Sequence, residues 1–345
     1  MVADLRRSER VLNCVRKVPG GRLGWRAVMG VLLGGVGMVA GVGRSQASVP
    51  QSLSPTMLPV GAIVEDHVVE DHVVEDHWVA QAQPERSPEE TRQLLERVIR
   101  QAQEAQARGD YERAIAIWQQ LIEITPDVAG LHNNLGNVYR AAGRYSDAIT
   151  SLQRAVQLAP NDATPHSNLG IAYARTGQLD LAITSFRRAI ELRPNFINAH
   201  ANLCAALNER KRHGEAEASC RRAIALDPNT PEAHNNLGNA LAGQGNHSSA
   251  IAAYNTSLRL DPQDADTYYN QARSYSALRQ WANAERAYRQ ALRINPRMAS
   301  AHNNLGVVYA QTNRRSDAIR HFRAALAIDP NHVNAQRNLN QALGR

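Results

Sequence analysis

One spacing governs the chain from about residue 88 to its end, because proline and alanine each recur every 34 residues at seven positions. A fixed period of this length is typical of a solenoid in which each unit is a helix–turn–helix that packs on its neighbours. A length of 345 residues alone would suggest about two ordinary domains, but the period predicts one continuous repeat array instead. The prolines are Pro126, Pro160, Pro194, Pro228, Pro262, Pro296 and Pro330, and the alanines are Ala114, Ala148, Ala182, Ala216, Ala250, Ala284 and Ala318.

Residues 129–162 show how one unit is expected to fold. Gly143 predicts the end of a first helix, because glycine readily adopts the left-handed conformation that caps a helix. Pro160 predicts the end of a second helix, because proline cannot continue one. The small residues Gly136 and Ala148 let the two helices approach closely. Helical spacing gives the first helix a stripe of His132, Leu135, Gly136 and Tyr139, and the second a face of Ala148, Leu152 and Ala155.

These units resemble the tetratricopeptide repeat (TPR) family over residues 95–345, as seven full units and a terminal helix that starts at Val333. The resemblance implies an all-α, right-handed superhelical solenoid of antiparallel helix pairs, with residues 87–345 as the TPR domain. Lys211, Arg279 and Asn313 depart from the family pattern, since they replace the turn glycine. Two units carry the match through Gly136, Tyr139, Gly143, Ala148, Ala155 and Pro160, and through Gly170, Tyr173, Gly177, Ala182, Phe186, Ala189 and Pro194.

Both ends of the solenoid carry their own signals. Ser87 as N-cap, Pro88 at the first helical position and Glu90 three residues after the cap predict where the first helix starts. Gln336 and Asn340 place polar side chains on what would be the buried stripe of the last helix. A terminal unit needs a polar outer face, so the last helix is predicted to be a solvent-facing cap.

A row of asparagines recurs with the same period on the first helices. Each lies off the helix face that packs within its own unit, and in a TPR superhelix this other face lines the concave groove. An amide side chain offers two donors and an acceptor, so it can hold a peptide backbone group whatever the ligand sequence. The row consists of Asn134, Asn168, Asn202, Asn236, Asn270, Asn304 and Asn338.

The row resembles the asparagine ladder in the TPR superhelix of protein O-GlcNAc transferases, particularly in residues 132–137 and 301–306. The resemblance implies that the row binds an extended peptide. The alternative is that the amides bond one another or the helix ends and only set the curvature of the stack. Neighbouring positions predicted to add specificity are Asn133, Asn137, Asn235, Asn239, Tyr269, Arg273 and Asn303.

Charged groups are few in the predicted groove. TPR proteins that hold chaperone C-termini use groove lysines, whereas the only lysines here are Lys17 and Lys211, and neither takes such a position. Arg140 and Arg175 are the nearest basic residues, on neighbouring groove-facing turns. They could pair with an acidic side chain of a ligand, but the sequence alone favours solvated charge, because exposed ion pairs contribute little.

Cys204 and Cys220 fall in the fourth unit, where they replace the small residue of one helix and the aromatic residue of its partner. These two positions face each other across the helix pair. An exported chain meets an oxidising environment, and removal of a leader would leave these two as its only cysteines. We predict a disulfide, with two buried thiols as the alternative, since pairing also needs Cα atoms closer than about 7 Å.

No metal or catalytic site is expected in the repeats. A second periodic row contains histidines, but successive units lie about 8–10 Å apart, too far for one metal ion to bind two imidazoles at about 2 Å. These histidines are predicted to be packing residues with one solvated edge. The sequence has no pattern of a serine hydrolase, a zinc protease or a Walker-type loop, so neither enzyme activity nor a cofactor is predicted. The row consists of His132, His166, His200, His234 and His302.

The first 47 residues are predicted to be a secretory signal. Residues 27–43 are apolar and uncharged, basic residues precede them, and a small-x-small site ends at Ala47. Cleavage there is the prediction, and an uncleaved membrane anchor, which shares the pattern, is the alternative. The signal implies export to the periplasm, the thylakoid lumen or the extracellular space of a bacterial-type cell.

Residues 48–86 are predicted to be a disordered linker in which Val-Glu-Asp-His-Val is repeated. His67, His72 and His77 beside acidic residues suggest metal ligands. A five-residue step, however, turns the three rings in different directions on a helix and to alternating faces on a strand. A solvated acidic tether is therefore the prediction.

The net charge of +7 does not indicate a nucleic-acid partner. Residues 1–47 contain eight basic residues and two acidic ones, so the rest of the chain is close to neutral at +1. Binding of a phosphate backbone requires a basic surface, which this balance does not supply.

The sequence thus predicts an exported, non-catalytic scaffold for protein–protein interaction that binds an extended peptide segment in its groove. Its partner is a protein or peptide that the sequence does not name. Two alternatives stay open, an accessory chain that presents substrates to a glycosyltransferase and an assembly factor for an envelope or photosynthetic complex. No nucleic-acid partner is expected, nor membrane contact of the mature domain unless the leader stays uncleaved.

Overall fold

The computed structural model describes residues 88–344, which form fifteen α-helices and no strand in that range. The predicted signal at 1–47, the linker at 48–86 and the Ser87 cap lie outside the described residues. Residues from Ile99 onward form one compact unit. Within the described range, no helix combines the length and the apolar character that a bilayer crossing needs.

The helices alternate as the 34-residue period predicts, in seven pairs followed by a terminal helix. The first begins at Pro88 and the last at Val333, both as expected. In chain order they are α1 (Pro88–Ala107), α2 (Tyr111–Ile124), α3 (Ala129–Ala141), α4 (Tyr145–Leu158), α5 (Ala163–Arg175), α6 (Leu179–Leu192), α7 (Ile197–Glu209), α8 (His213–Leu226), α9 (Pro231–Gly243), α10 (His247–Leu260), α11 (Ala265–Ala277), α12 (Trp281–Ile294), α13 (Ala299–Gln311), α14 (Arg315–Ile328) and α15 (Val333–Leu343).

Packing runs along the chain, because from α2 onward each helix packs against the next. From α3 onward the first helices of consecutive units also contact one another, and no contact of similar extent joins consecutive second helices among the described ones. The first helices therefore form the inner wall of the stack, and the second helices form its outer layer. This arrangement is a solenoid of antiparallel helix pairs.

Small residues make the close helix contacts within each pair. The seven periodic alanines are each 0% exposed. A Cβ atom placed on Gly170 would lie 2.6 Å from Cε1 of Phe186, so only glycine leaves room for this ring. Gly136 makes the same approach to Leu152, and Gly306 to Phe322. The close helix approach that the sequence predicts at Gly136 and Ala148 is confirmed, and a large side chain fills the space opposite each of these glycines.

The turns that lack glycine keep the same backbone shape as the others. Lys211, Arg279 and Asn313 have φ values of 59°, 56° and 59°, in the left-handed region that Gly143 occupies at 75°. Packing of the units on both sides imposes this turn, although the left-handed conformation costs a residue with a Cβ about 1–2 kcal/mol. The departures from the family pattern therefore change the local strain and leave the register intact.

The terminal helix has the polar outer face predicted for a cap. Gln336 and Asn340 are both exposed, and the Gln336 amide donates to Asn340 Oδ1 at 3.1 Å. Its inner face is held by Ala335 and Leu339, which are buried.

Candidate functional site

The asparagine row lies on the inner wall, with one residue on each first helix from α3 to α15. All seven side chains are half-buried rather than fully exposed. Each amide is therefore partly accessible to solvent and partly covered by neighbouring residues. Its hydrogen bonds decide which groups remain for a ligand.

Four of the seven amides bridge consecutive units with one geometry. The Asn168 amide donates to Oδ1 of Asn133, 35 residues earlier in the chain, at 2.9 Å. At these four positions the amides bond the stack itself, which is the alternative that the sequence left open. The other bridges join Asn338 to Asn303 at 2.9 Å, Asn304 to the Tyr269 hydroxyl at 3.2 Å and Asn270 to Asn235 at 3.4 Å.

Three amides of the row, those of Asn134, Asn202 and Asn236, have no side-chain hydrogen bond to the described residues, and we call them the open amides. The bridging geometry needs an acceptor 35 residues earlier. At that spacing the chain has Ile99, Ser167 and Ala201. Isoleucine and alanine have no side-chain acceptor, and the buried hydroxyl of Ser167 makes no hydrogen bond to Asn202. The open amides therefore keep two donors and an acceptor each.

The additional groove positions predicted from the sequence divide in the same way. Asn303 is 5% exposed, donates to Oδ1 of Asn304 at 3.0 Å and accepts from Asn338, so its amide is not open to a ligand. Oδ1 of Asn239 accepts the hydroxyl hydrogen of Tyr254 at 2.8 Å. The Tyr269 hydroxyl accepts the Asn304 amide, so its ring is the part left for a ligand. The exposed guanidinium of Arg273 lies 5.8 Å from the centre of that ring.

Arg140 and Arg175 lie in the last turns of the first helices α3 and α5. Nη2 of Arg140 donates to Oδ1 of Asn137 at 3.3 Å, while its Nε is buried without a partner. Burial, followed by the neighbouring charge of Arg175, lowers the pKa of Arg140 from its usual value. The interpretation of this pair as solvated charge is therefore wrong for Arg140.

Cys204 on α7 and Cys220 on α8 face each other inside the fourth unit, with Cα atoms 5.3 Å apart and the sulfurs bonded. Both residues are 0% exposed. The Cα separation lies within the range of about 4.4–6.8 Å that disulfides require. The pair stands where other units place glycine against a large side chain, such as Gly170 against Phe186.

Comparison with known families agrees with this architecture. Profiles for the TPR repeat match residues 106–140 and 136–177, and profiles for the tetratricopeptide repeat match 212–265, 269–333 and 163–196. Together these segments cover more than half of the chain. The chain belongs to the tetratricopeptide repeat family.

Solved TPR structures share the fold at low sequence identity. A tetratricopeptide repeat protein from Parabacteroides merdae is 17% identical with a TM-score of 0.57, over 72% of this chain and 98% of its own. The pilF protein of Pseudomonas aeruginosa is 20% identical with a TM-score of 0.54, over 62% and 97%. A chain of the APC/C hetero-tetramer Cut9–Hcn1 is 22% identical with a TM-score of 0.60, over 70% of this chain. This chain spans about half, 48%, of that relative.

No curated protein sequence matches the chain. Structural likeness at these identities shows the fold alone. TPR repeats are generally non-catalytic scaffolds, and protein–protein interaction is the class of function that membership implies for this chain.

The histidine row ties five of the TPR units to the loops before them. Nε2 of His132 lies 2.8 Å from the carbonyl oxygen of Pro126, and the other members reach the equivalent proline carbonyls at 2.8–3.2 Å. A proline carbonyl can only accept, so Nε2 carries the proton. Among residues 88–344 no three potential ligands are grouped so that they could hold a metal ion.

His302 differs from the rest of the row, because its ring stacks on His321 with the two Nδ1 atoms 3.1 Å apart. Nε2 of His302 faces the carbonyl of Pro296, so its Nδ1 is free to accept the Nδ1 hydrogen of His321. This contact requires a neutral His302, since protonation of both Nδ1 atoms would place two N–H groups against each other. Burial, followed by the electrostatic interaction with His302, lowers the pKa of His321 to about 4.

We expect the stability of the chain to fall on acidification between about pH 6.5 and about pH 4 because of His321. The unfolded chain takes up a proton in this range that the folded chain does not bind, so acid favours unfolding. The measurement is the melting temperature of the full chain across this range. His321→Gln is expected to flatten the dependence, whereas His234→Gln, whose ring contacts no second histidine, should leave its slope unchanged. Equal slopes for the native chain and His321→Gln would contradict the prediction.

Proposed function

We propose that this TPR protein is a non-catalytic scaffold that binds an extended segment of a partner protein along its inner wall. The observation that carries the proposal is the set of open amides on α3, α7 and α9. An amide side chain that is half-buried and lacks an intramolecular partner is suited to receive a ligand, because its donors and acceptor are unused in the free protein. A stretched peptide offers one N–H and one C=O at each residue.

The bridging amides support this role differently. Asn168 donates one N–H to Asn133 of the preceding unit, and its second N–H and Oδ1 remain for a ligand. The bridge fixes the amide in one orientation before a ligand arrives, which reduces the entropy lost on binding. The row therefore contains orienting members and open members.

The expected gain from each amide is modest, about 0.5–1.5 kcal/mol for each net hydrogen bond. Affinity would arise from several such bonds along one preformed wall. Since each bond is made to the backbone, the row itself would be tolerant of ligand sequence. Selectivity would then come from side chains beside the row, such as Tyr269 and Arg273.

Replacement of Asn134, Asn202 and Asn236 by alanine is expected to weaken peptide binding at least about tenfold and to leave the melting temperature nearly unchanged. The probe is a peptide selected from a random library on the immobilised full chain, then synthesised with a fluorescent label. Fluorescence anisotropy measures its dissociation constant. The matched control replaces Asn161, Asn229 and Asn331, which directly follow the periodic prolines, lie off the first helices, are exposed and have no side-chain hydrogen bond to the described residues.

A third variant separates binding from stability. Alanine at Asn168, Asn270 and Asn338 removes three bridges between units, so it should lower both the affinity and the melting temperature. If the open-amide variant binds every selected peptide as tightly as the native chain does, the groove proposal is wrong. Binding would then have to involve the outer layer or the ends of the stack.

The export prediction is also carried forward as a proposal. The bonded arrangement of Cys204 and Cys220 supports it, because disulfides persist in oxidising compartments and are rare in the cytosol. Fractionation of the producing cell, with the chain followed by an antibody, would test it. Recovery of the chain in the cytosolic fraction alone would reject it.

A further inference from the structure

Arg140 and Arg175 lie on consecutive first helices, at the same sequence spacing as side chains of the amide row that bridge two units. They are 35 residues apart, as are Asn133 and Asn168, whose side chains meet across the boundary between the same two units. The helices that bear them, α3 and α5, contact each other, and each arginine lies in the last turn of its helix. Arg175, which is exposed, is second to burial among the causes that lower the pKa of Arg140, in agreement with two neighbouring guanidinium groups. Two like charges are thus held close together on the surface that faces a ligand.

Neither arginine has an acidic partner in the part of the chain that the structure describes. Other arginines of the stack do, such as Arg210, which pairs with both oxygens of Asp180 at 3.0 and 2.9 Å. Arg314 likewise pairs with Glu285 at 2.9 Å. Arg140 has instead one neutral acceptor, Asn137, and a buried Nε with no acceptor.

This arrangement is unfavourable for the free protein. A desolvated guanidinium stabilises the fold only when an opposite charge or full hydrogen bonding compensates for the lost water. Here desolvation is incomplete but substantial, and the nearest charge has the same sign. A carboxylate placed between the two guanidinium groups would supply both the opposite charge and the hydrogen-bond acceptors that they lack. Its paired oxygens match the fork of N–H groups on a guanidinium.

We propose that Arg140 and Arg175 form a subsite for an aspartate or glutamate side chain of the bound segment. The inference rests on the proposed groove function and adds selectivity for charge. The amide row would hold the peptide backbone, and this subsite would select segments that have an acidic residue at one position. Because the pair lies on α3 and α5, the acid would sit towards the N-terminal end of the groove.

The test uses the full chain, the double variant Arg140→Gln, Arg175→Gln and the matched control Arg259→Gln, Arg293→Gln. The control changes two exposed arginines of second helices by the same charge. Peptides are selected from a random library on each protein. We expect acidic residues to be enriched at one position on the native chain and on the control, and the enrichment to be absent on the double variant.

A selected peptide and its Glu→Gln counterpart then give the size of the effect. The native chain should bind the glutamate peptide about tenfold more tightly than the glutamine peptide, and the double variant should bind the two equally. Absence of acid preference on the native chain, or its persistence on the double variant, overturns the subsite while the groove proposal stands. If the native chain selects no peptide at all, both proposals fail.

Discussion

Replacement of Cys204 and Cys220 by alanine is expected to lower the free energy of unfolding by about 3 kcal/mol. The two residues are 16 apart in sequence, and a cross-link of this span removes conformational freedom mainly from the unfolded chain. Both are 0% exposed, so the change also removes buried atoms from the contact between α7 and α8. Chemical denaturation of the full chain, followed by circular dichroism, measures the loss.

The repeat itself offers a matched rescue. The positions of Cys204 and Cys220 correspond to Gly238 and Tyr254 in the next unit, where the tyrosine is 1% exposed and packs on the glycine. The variant Cys204→Gly, Cys220→Tyr should therefore recover part of the lost stability without a cross-link. If this variant has a higher free energy of unfolding than the alanine variant, side-chain packing can replace part of the stabilisation that the disulfide provides.

The state of the two thiols can be read directly from the mass of the unreduced protein. A disulfide lowers the mass by two hydrogens and leaves no thiol to alkylate after denaturation. If both thiols alkylate without reductant, the chain carries two buried thiols instead. The alanine variant would then lose only the packing contribution, and the prediction of about 3 kcal/mol would be wrong.

The helical architecture could be predicted from sequence because each unit repeats the same local signals. Proline at Pro160 and glycine at Gly143 mark helix ends by their own backbone chemistry, whatever their tertiary surroundings. Where the local signal failed, as at Lys211, the neighbouring units imposed the same turn. A period that holds over seven units thus outweighs a single unfavourable residue.

The state of each amide could not be predicted from the row alone. Whether an amide bridges depends on a second residue 35 positions earlier, as Asn133 shows for Asn168 and Ala201 for Asn236. This signal was present in the sequence but requires knowledge of how consecutive units are offset. The burial of Arg140 was missed for a related reason, since desolvation depends on the neighbouring helix and not on residue type.

Gly170→Val is expected to lower the free energy of unfolding by about 2–3 kcal/mol through overpacking. A Cβ at this position would lie 2.6 Å from Cε1 and 2.7 Å from Cδ1 of Phe186, whose ring is 1% exposed. The ring has no space to retreat into, so the helices α5 and α6 must separate. That separation would also move Asn168 and Arg175, which lie on α5, relative to the rest of the wall.

Two further variants tell overpacking apart from a general effect of valine in a helix. Gly214→Val makes the same substitution on α8, where a Cβ meets nothing within 4 Å, and should change stability by less than about 0.5 kcal/mol. Phe186→Ala added to Gly170→Val removes the clash, so the double variant should cost less than the sum of the two single changes. Additive losses, or an equal loss at Gly214, would mean that the glycine does not act through Phe186. Loss of peptide affinity in Gly170→Val, restored in the double variant, would show that the spacing of the helix pair sets the spacing of the groove.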